Sequence, residues 1–192
     1  MPTVANIKKA MRKKGISAEL ITQLEFPTPR GNQVMEVLSL IQQMDNLLTR
    51  EQCLAVMEEQ GCGKTEKISA PFMEFGQKHV GRTIEEKVEL LAESDMPHTI
   101  PCHINSDGML SIHWSFGQEG NYKCVCRKIN FAYKEQGEQA DISKTYCGCC
   151  AGHVRHIHQL ALGVKLKLVE IISSPISSGG KKRCEFLFEI VS

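Results

Sequence analysis

The stretch TIPCHINSDGMLSIHWSFGQEGNYKCVCRKINF, residues 99–131, decides the fold class. Its apolar residues alternate instead of recurring every three or four positions, which is the period of a strand and not of a helix. Thr99 to Asn105 and Met109 to Phe116 flank Ser106-Asp107-Gly108, a hairpin connection. In the second strand Leu110, Ile112, Trp114 and Phe116 fall on one face. Gly117 to Gly120 turns the chain again, and Lys123 to Phe131 predicts a third strand carrying Cys124 and Cys126.

Upstream of this stretch the period is helical. Val4 to Lys14 and Ser17 to Phe26 are short periodic segments, broken by Gly15 and by Pro27 and Pro29. Residues 32–48 space Val34, Leu38, Ile41 and Leu48 at helical intervals. Thr49 and Gln52 predict a capping box opening a helix that Gly61 stops. A further helix is expected over 66–79, and Thr83 with Glu86 forms a capping box for one running to about Ala92. Downstream, residues 132–145 are polar and read as a mobile loop, and Ala151 to Leu162 as a helix ending at Gly163. Strands follow at 164–172 and 183–191, with Cys184, Phe186, Phe188 and Ile190 on one face and Arg183, Glu185 and Glu189 on the other. Helices followed by strands argue an α+β fold: N-terminal helices, then an antiparallel sheet of four to five strands with one crossing helix. The expected division is a helical region, 1–95, and an α+β region, 96–192, packed as one unit.

Composition narrows the function classes. The chain has 192 residues, 42% hydrophobic and 23% charged, enough to bury a core. Lys+Arg 23 against Asp+Glu 22 leaves +1, which argues against nucleic acid or an anionic membrane as partner. No apolar run reaches the roughly 20 residues of a membrane span. The start, MPTVANIKKAMRKKG, has basic residues without an apolar block, unlike a secretory signal. Nine cysteines are the abnormal count. An odd number in a chain of this size argues against a disulfide framework and for reduced thiols in a cytoplasm, available for metal binding, redox chemistry or nucleophilic catalysis.

The informative cluster is TYCGCCAGHVRHIH, residues 145–158, with three cysteines and three histidines. At about 100° per residue, Cys149, His153 and His156 lie within roughly 60° of one another on a helix. Cys150, Val154, Ile157 and Ala161 form a neighbouring apolar stripe, and His158 points away. A helix N-terminus favours thiolate, so Cys147, Cys149 and Cys150 are expected to be the reactive or ligating sulfurs. Cys124 and Cys126 would point to one face of a strand roughly 7 Å apart, too far for one tetrahedral zinc at about 2.3 Å from each sulfur unless the strand bulges. Cys53, Cys102 and Cys184 read as small core residues. His79, His98, His103 and His113 show no ligand spacing, and the basic run Lys8 to Lys14 reads as a solvated helix face. Gly61-Cys-Gly-Lys-Thr65 imitates a phosphate loop, but Glu58 stands where its first glycine should be. Cys147-Gly-Cys-Cys150 has the gap of haem attachment, but Ala151 replaces the required histidine.

The last 50 or so residues resemble a known family. Tyr146-Cys147, Ala151-Gly152-His153, Leu162-Gly163, an alternating strand, Glu170, and Gly180 before Cys184-Glu-Phe186 resemble the C-terminal part of V4R (4-vinyl reductase-like) domains. A Cys-rich bacterial branch is similar in more detail, through Cys124/Cys126, Cys147/Cys149 with Gly152, Glu51-Gln52-Cys53 and Gly61-Cys62-Gly63. The resemblance implies the fold that V4R domains share with a subunit family of the vesicle-tethering TRAPP complex, a helix across a curved antiparallel sheet. It also implies a small-molecule-binding module, in some members with a metal held by cysteine. Cys150 and the triplet His153, His156 and His158 depart from that pattern.

The expected function is therefore cytoplasmic binding of a small molecule, a metal or both, at a Cys-rich site where the last helix begins. Cys147 and Cys149, joined by Cys124, Cys126 or His153, are the expected metal ligands, with zinc as the ion and an iron–sulfur centre as the alternative. A thiol-dependent enzyme, hydrolase or reductase-like, is the competing reading, with Cys147 or Cys149 as nucleophile and His153 as base. A homodimer is expected from the resemblance and from the Met- and Leu-rich segment 32–48.

Overall fold

Local capping signals start the helices close to where the sequence places them. The computed structural model describes residues 2–28, 34–96, 100–114, 116–126, 128–130, 132 and 142–191. Helix α1 (Val4–Lys13) opens on Thr3, whose hydroxyl accepts from the Asn6 N–H, and α2 (Ala18–Thr22) opens on Ser17. After α3 (Val34–Leu47), helix α4 (Arg50–Glu58) begins with the full Thr49/Gln52 capping box. Helix α5 (Glu66–Lys78) follows, and α6 (Ile84–Ala92) begins with the Thr83/Glu86 box.

The strands are β1 (Cys102–Ile104), β2 (Leu110–Trp114), β3 (Phe116–Gln118), β4 (Asn121–Lys123), β5 (Lys165–Ser173) and β6 (Cys184–Val191). A 3-10 turn, Lys144–Cys147, leads into the long helix α7 (Gly148–Leu162), and the short helix α8 (Pro175–Ser178) links β5 to β6. The main sheet has order β1-β2-β6-β5 and is antiparallel throughout. Its register sets Ile112 and Ile171 beside Phe186, and Leu110 and Leu168 beside Phe188. These six side chains are buried and form the sheet's inner face. The fold is α+β, as expected.

Two buried clusters organise the packing. One gathers α1 to α4 around Met11, Leu40, Ile41, Met44 and Met57, with Tyr146 and Cys149 inserted from the C-terminal half. The other places α5, α6 and α7 against the sheet, with Cys150, Val154, Ile157 and Ala161 of α7 facing inward as the helical spacing requires. Both clusters therefore draw residues from either side of residue 95.

Two expectations are corrected. The third strand does not run from Lys123 to Phe131. Strand β4 ends at Lys123 and pairs only with β3 in a separate two-stranded sheet, and residues 128–130 are helical. The main chain there finds other partners: Cys126 N–H donates to the Cys124 sulfur at 3.4 Å, and Asn130 Nδ2 donates to the Cys124 carbonyl at 3.1 Å. Phe116 leaves the β2 face with that small hairpin and is 61% exposed. Helix α3 buries Val34, Val37, Leu38, Leu40, Ile41 and Met44 in the core and leaves Met35 and Leu47 exposed. His98 and most of the polar 132–145 segment lie outside the described residues. Among those described, no helix is long and apolar enough to cross a membrane.

The tightest joint lies between α7 and the end of α4. A Cβ added at Gly152 would run into the Glu58 carbonyl oxygen, and one at Gly61 would stand 2.6 Å from the Gly152 carbonyl carbon. Both glycines are there for closeness of approach. Ion pairs close the same joint, with Arg155 on Glu58 at 2.7 Å, Lys14 on Glu59 at 2.9 Å and Lys13 on Glu59 at 2.6 Å. Burial works against the Glu59 carboxylate, but Lys13 and Lys14 hold it down to about 2. The end of the basic run is thus partly engaged in pairing and is not only a solvated face.

Two predictions follow from this packing. Gly152→Ala should destabilise the chain by about 3 kcal/mol, the upper end for an overpacked site, while Val80→Ala, at a 79% exposed position, should stay within about 0.5 kcal/mol; urea denaturation measures both. His158 is fully buried between the carbonyl oxygens of Val154 and Ile100, and burial pulls it from 6.5 to about 4 despite those acceptors. The unfolded chain then binds a proton between these values that the folded chain does not. This contribution is complete above pH 6.5 and is lost as the pH falls toward 4, about 3 kcal/mol in all. Denaturation at pH 7 and 4.5 should show the fall, and His158→Gln should flatten it.

Candidate functional site

Helical spacing places Cys149, His153 and His156 on one face, and the structure turns that face toward α4, α5 and the loop between them. Cys149 donates its S–H to the Gln60 carbonyl at 3.3 Å. His153 donates from Nδ1 to the Cys62 carbonyl at 2.6 Å, and its ring lies against Trp114 with centroids 5.1 Å apart. His156 Nε2 bonds the Ser69 hydroxyl at 2.9 Å. The Cys62 and Cys149 side chains stand close enough for each thiol to influence the other's proton. The local geometry again needs glycine: Gly63 has φ +73°, and a Cβ there would stand 2.7 Å from the His153 ring.

The five expected ligands divide into two groups. Cys149 and His153 belong with Cys62. Cys124, Cys126 and Cys147 form the other, with Cys150 and Cys184 near enough for their charges to interact. Within that second group the Cys126 sulfur meets the Tyr146 hydroxyl at 3.6 Å. Among the described residues, no set of three or more His, Cys, Asp or Glu is placed to hold a metal ion. Zinc and an iron–sulfur centre thus gain no support from this arrangement, because the Cys149 and His153 donors are turned toward the 60–62 loop.

The thiolate expectation is corrected as well. Burial pushes the Cys147 thiol up to about 12 and the Cys124 thiol up to about 11, and it raises Cys150 well above the ordinary range. Cys149 is raised by its hydrogen bond to Cys62 and by burial. The positive end of α7 is weaker than the cost of a buried anion. The acidic thiol is Cys62. Its interaction with Cys149 pulls it below the ordinary thiol range against the opposing effect of burial, helped by its own backbone N–H and by the Lys64 ammonium. Cys147 and Cys149 are therefore poorly suited as nucleophiles, and the Nδ1 of His153 serves a carbonyl, not a sulfur. Sequence reading passed over Cys62 as a residue of the helical half. The available signal was Gly61-Cys62-Gly63-Lys64, a cysteine bracketed by glycines and followed by a cation.

A cleft of about 320 Å³ opens beside the second thiol group, walled by β4, the Cys124 turn, Asn130 and α8, with Tyr122, Lys123, Cys124, Ile176 and Gly180 in its lining.

No family model matches the chain. No curated protein matches it. Among solved structures it is similar to an H-NOX protein from S. oneidensis in the Fe(II)NO ligation state, at 12% identity and a TM-score of 0.34, over 97% of this chain and 99% of that one. A likeness of that strength bears on neither function nor site.

Cys149→Ala removes the donor that stabilises the Cys62 thiolate. The pH midpoint for alkylation of Cys62 by iodoacetamide, followed by peptide mass spectrometry, should move up toward the ordinary 9.0. An unchanged midpoint would show that Cys149 is not the cause.

Proposed function

We propose that this chain is a small-molecule-binding module of the V4R kind, its ligand lying in the cleft beside Cys124. The cleft carries the reading: its volume of about 320 Å³ falls within the range of ligand sites, roughly 300–1,000 Å³. Its lining supplies the usual mixture of apolar wall and a few polar groups, with Tyr122, Pro175 and Ile176 as wall, Lys123 as a cation and Cys124 as a polarisable sulfur. The matching ligand is a small, partly apolar molecule with an anionic or hydrogen-bond-accepting group. The V4R resemblance is supported by the same order of parts, a Cys-rich turn, a helix over an antiparallel sheet, and two closing strands. The reading does not depend on a metal held by the protein.

Ligand-observed NMR of the full chain against a panel of small aromatic acids and amides tests it. Binding is expected for wild type, with Ile176→Trp abolishing it by filling the cleft and Lys123→Ala weakening the acids several-fold more than the amides. Cys62→Ser should bind like wild type. Absence of binding by wild type, or equal binding by a folded Ile176→Trp, would overturn the proposal.

A further inference from the structure

The Cys62–Cys149 pair has properties that ligand binding in the cleft does not require. The two thiols reach each other from different elements, Cys62 from the loop after α4 and Cys149 from the first turn of α7. Main-chain contact holds them there. A Cβ at Gly61 would stand 2.6 Å from the Gly152 carbonyl carbon and 2.8 Å from the His153 nitrogen. The His153 ring fixes the same loop through the Cys62 carbonyl, 2.6 Å away. The pair is also asymmetric. Cys149 is 3% exposed, while Cys62 is only half-buried. The Cys149 S–H has two acceptors in reach, the Gln60 carbonyl at 3.3 Å and the Cys62 sulfur.

We propose that Cys62 and Cys149 form a thiol–disulfide exchange site whose reactant is a low-molecular-weight disulfide, R–S–S–R. The Cys62 thiolate attacks one sulfur of the reactant. That S–S bond breaks, a Cys62–S–S–R bond forms, and R–S⁻ leaves. Cys149 gives its proton to the departing thiolate and attacks the Cys62 sulfur, forming the Cys62–Cys149 disulfide and expelling a second R–S⁻. This second thiolate takes a proton from solvent, balancing the one Cys62 released earlier. The net change is reduction of one R–S–S–R to two R–SH and oxidation of the protein dithiol to a disulfide.

The surroundings suit each step. Negative charge on Cys62 is what the Cys149 hydrogen bond and Lys64 stabilise, in keeping with its depressed pKa. Once Cys62 carries R, that charge disappears. With it goes the largest influence keeping the proton on Cys149, so the second thiol is freed at the step that needs it. Burial still opposes the Cys149 thiolate, but Cys149 need not be open to solvent, since it has to reach only Cys62.

The test uses the reduced full chain and oxidised glutathione, with free thiols then blocked and the peptides mapped by mass spectrometry. Wild type should give a Cys62–Cys149 bridge and retain no glutathione. Cys149→Ser should stop with one glutathione on Cys62, and Cys62→Ser should lower the rate of reaction at least tenfold. Ile176→Trp should react like wild type, which separates this site from the cleft. Glutathione retained on wild-type Cys62 without a bridge, a bridge between other cysteines, or no reaction at Cys62 would overturn the proposal. The wild-type map decides this even if a variant fails to fold.

Discussion

The rest of the structure depends on the contact between the first turns of α7 and the C-terminal end of α4. At Gly152 the helix lies so near the Glu58 carbonyl that no side chain fits, and Gly61 meets the same turn from the following loop. That contact fixes the rotation of α7 about its axis. One face, bearing Cys149, His153 and His156, is committed to the α4–α5 side. The opposite commitment follows, with Cys150, Val154, Ile157 and Ala161 driven into the sheet-facing core. Arg155, next to this seam, is delivered to Glu58 and helps hold the joint. A close-packed interior admits little adjustment, so one such contact propagates along fifteen residues of helix.

The cysteines show how burial and local electrostatics compete. A helix N-terminus stabilises an anion by only about 0.3–1 kcal/mol at an exposed position. Moving a thiolate out of water opposes this, and at Cys147 and Cys150 burial wins outright. Cys62 escapes because it is only partly buried and because a neighbouring thiol, its own N–H and Lys64 all favour the charged form. The same element is inert filler at Cys53 and Cys184, a packed thiol group around Tyr146, and an activated sulfur at Cys62. Environment separates them.

Much of the fold was legible in the chain. Capping pairs at Thr49/Gln52 and Thr83/Glu86, the αL stop at Gly163, and the alternation through Cys184, Phe186 and Phe188 are local signals read within a few residues. The C-x-C segment was misread because its alternation looked like a strand, whereas in the structure the Cys124 sulfur and the Asn130 amide replace a ladder's hydrogen bonds. Phe116 was misread for the same reason of period. It alternates correctly with Trp114, but the chain has already passed to the small β3–β4 hairpin.

For the site, sequence alone determined that thiols and imidazoles would meet at the start of α7, and which of them share a helix face, because helical spacing is set by a 3.6-residue turn. It could not determine which sulfur is acidic. That was decided by tertiary structure, which brings Cys62 across 87 positions to Cys149 and buries Tyr146 against Cys126. The physical reason is that a thiol's proton responds to solvent, charge and hydrogen-bond partners within a few ångströms, and those neighbours come from segments that no local pattern connects.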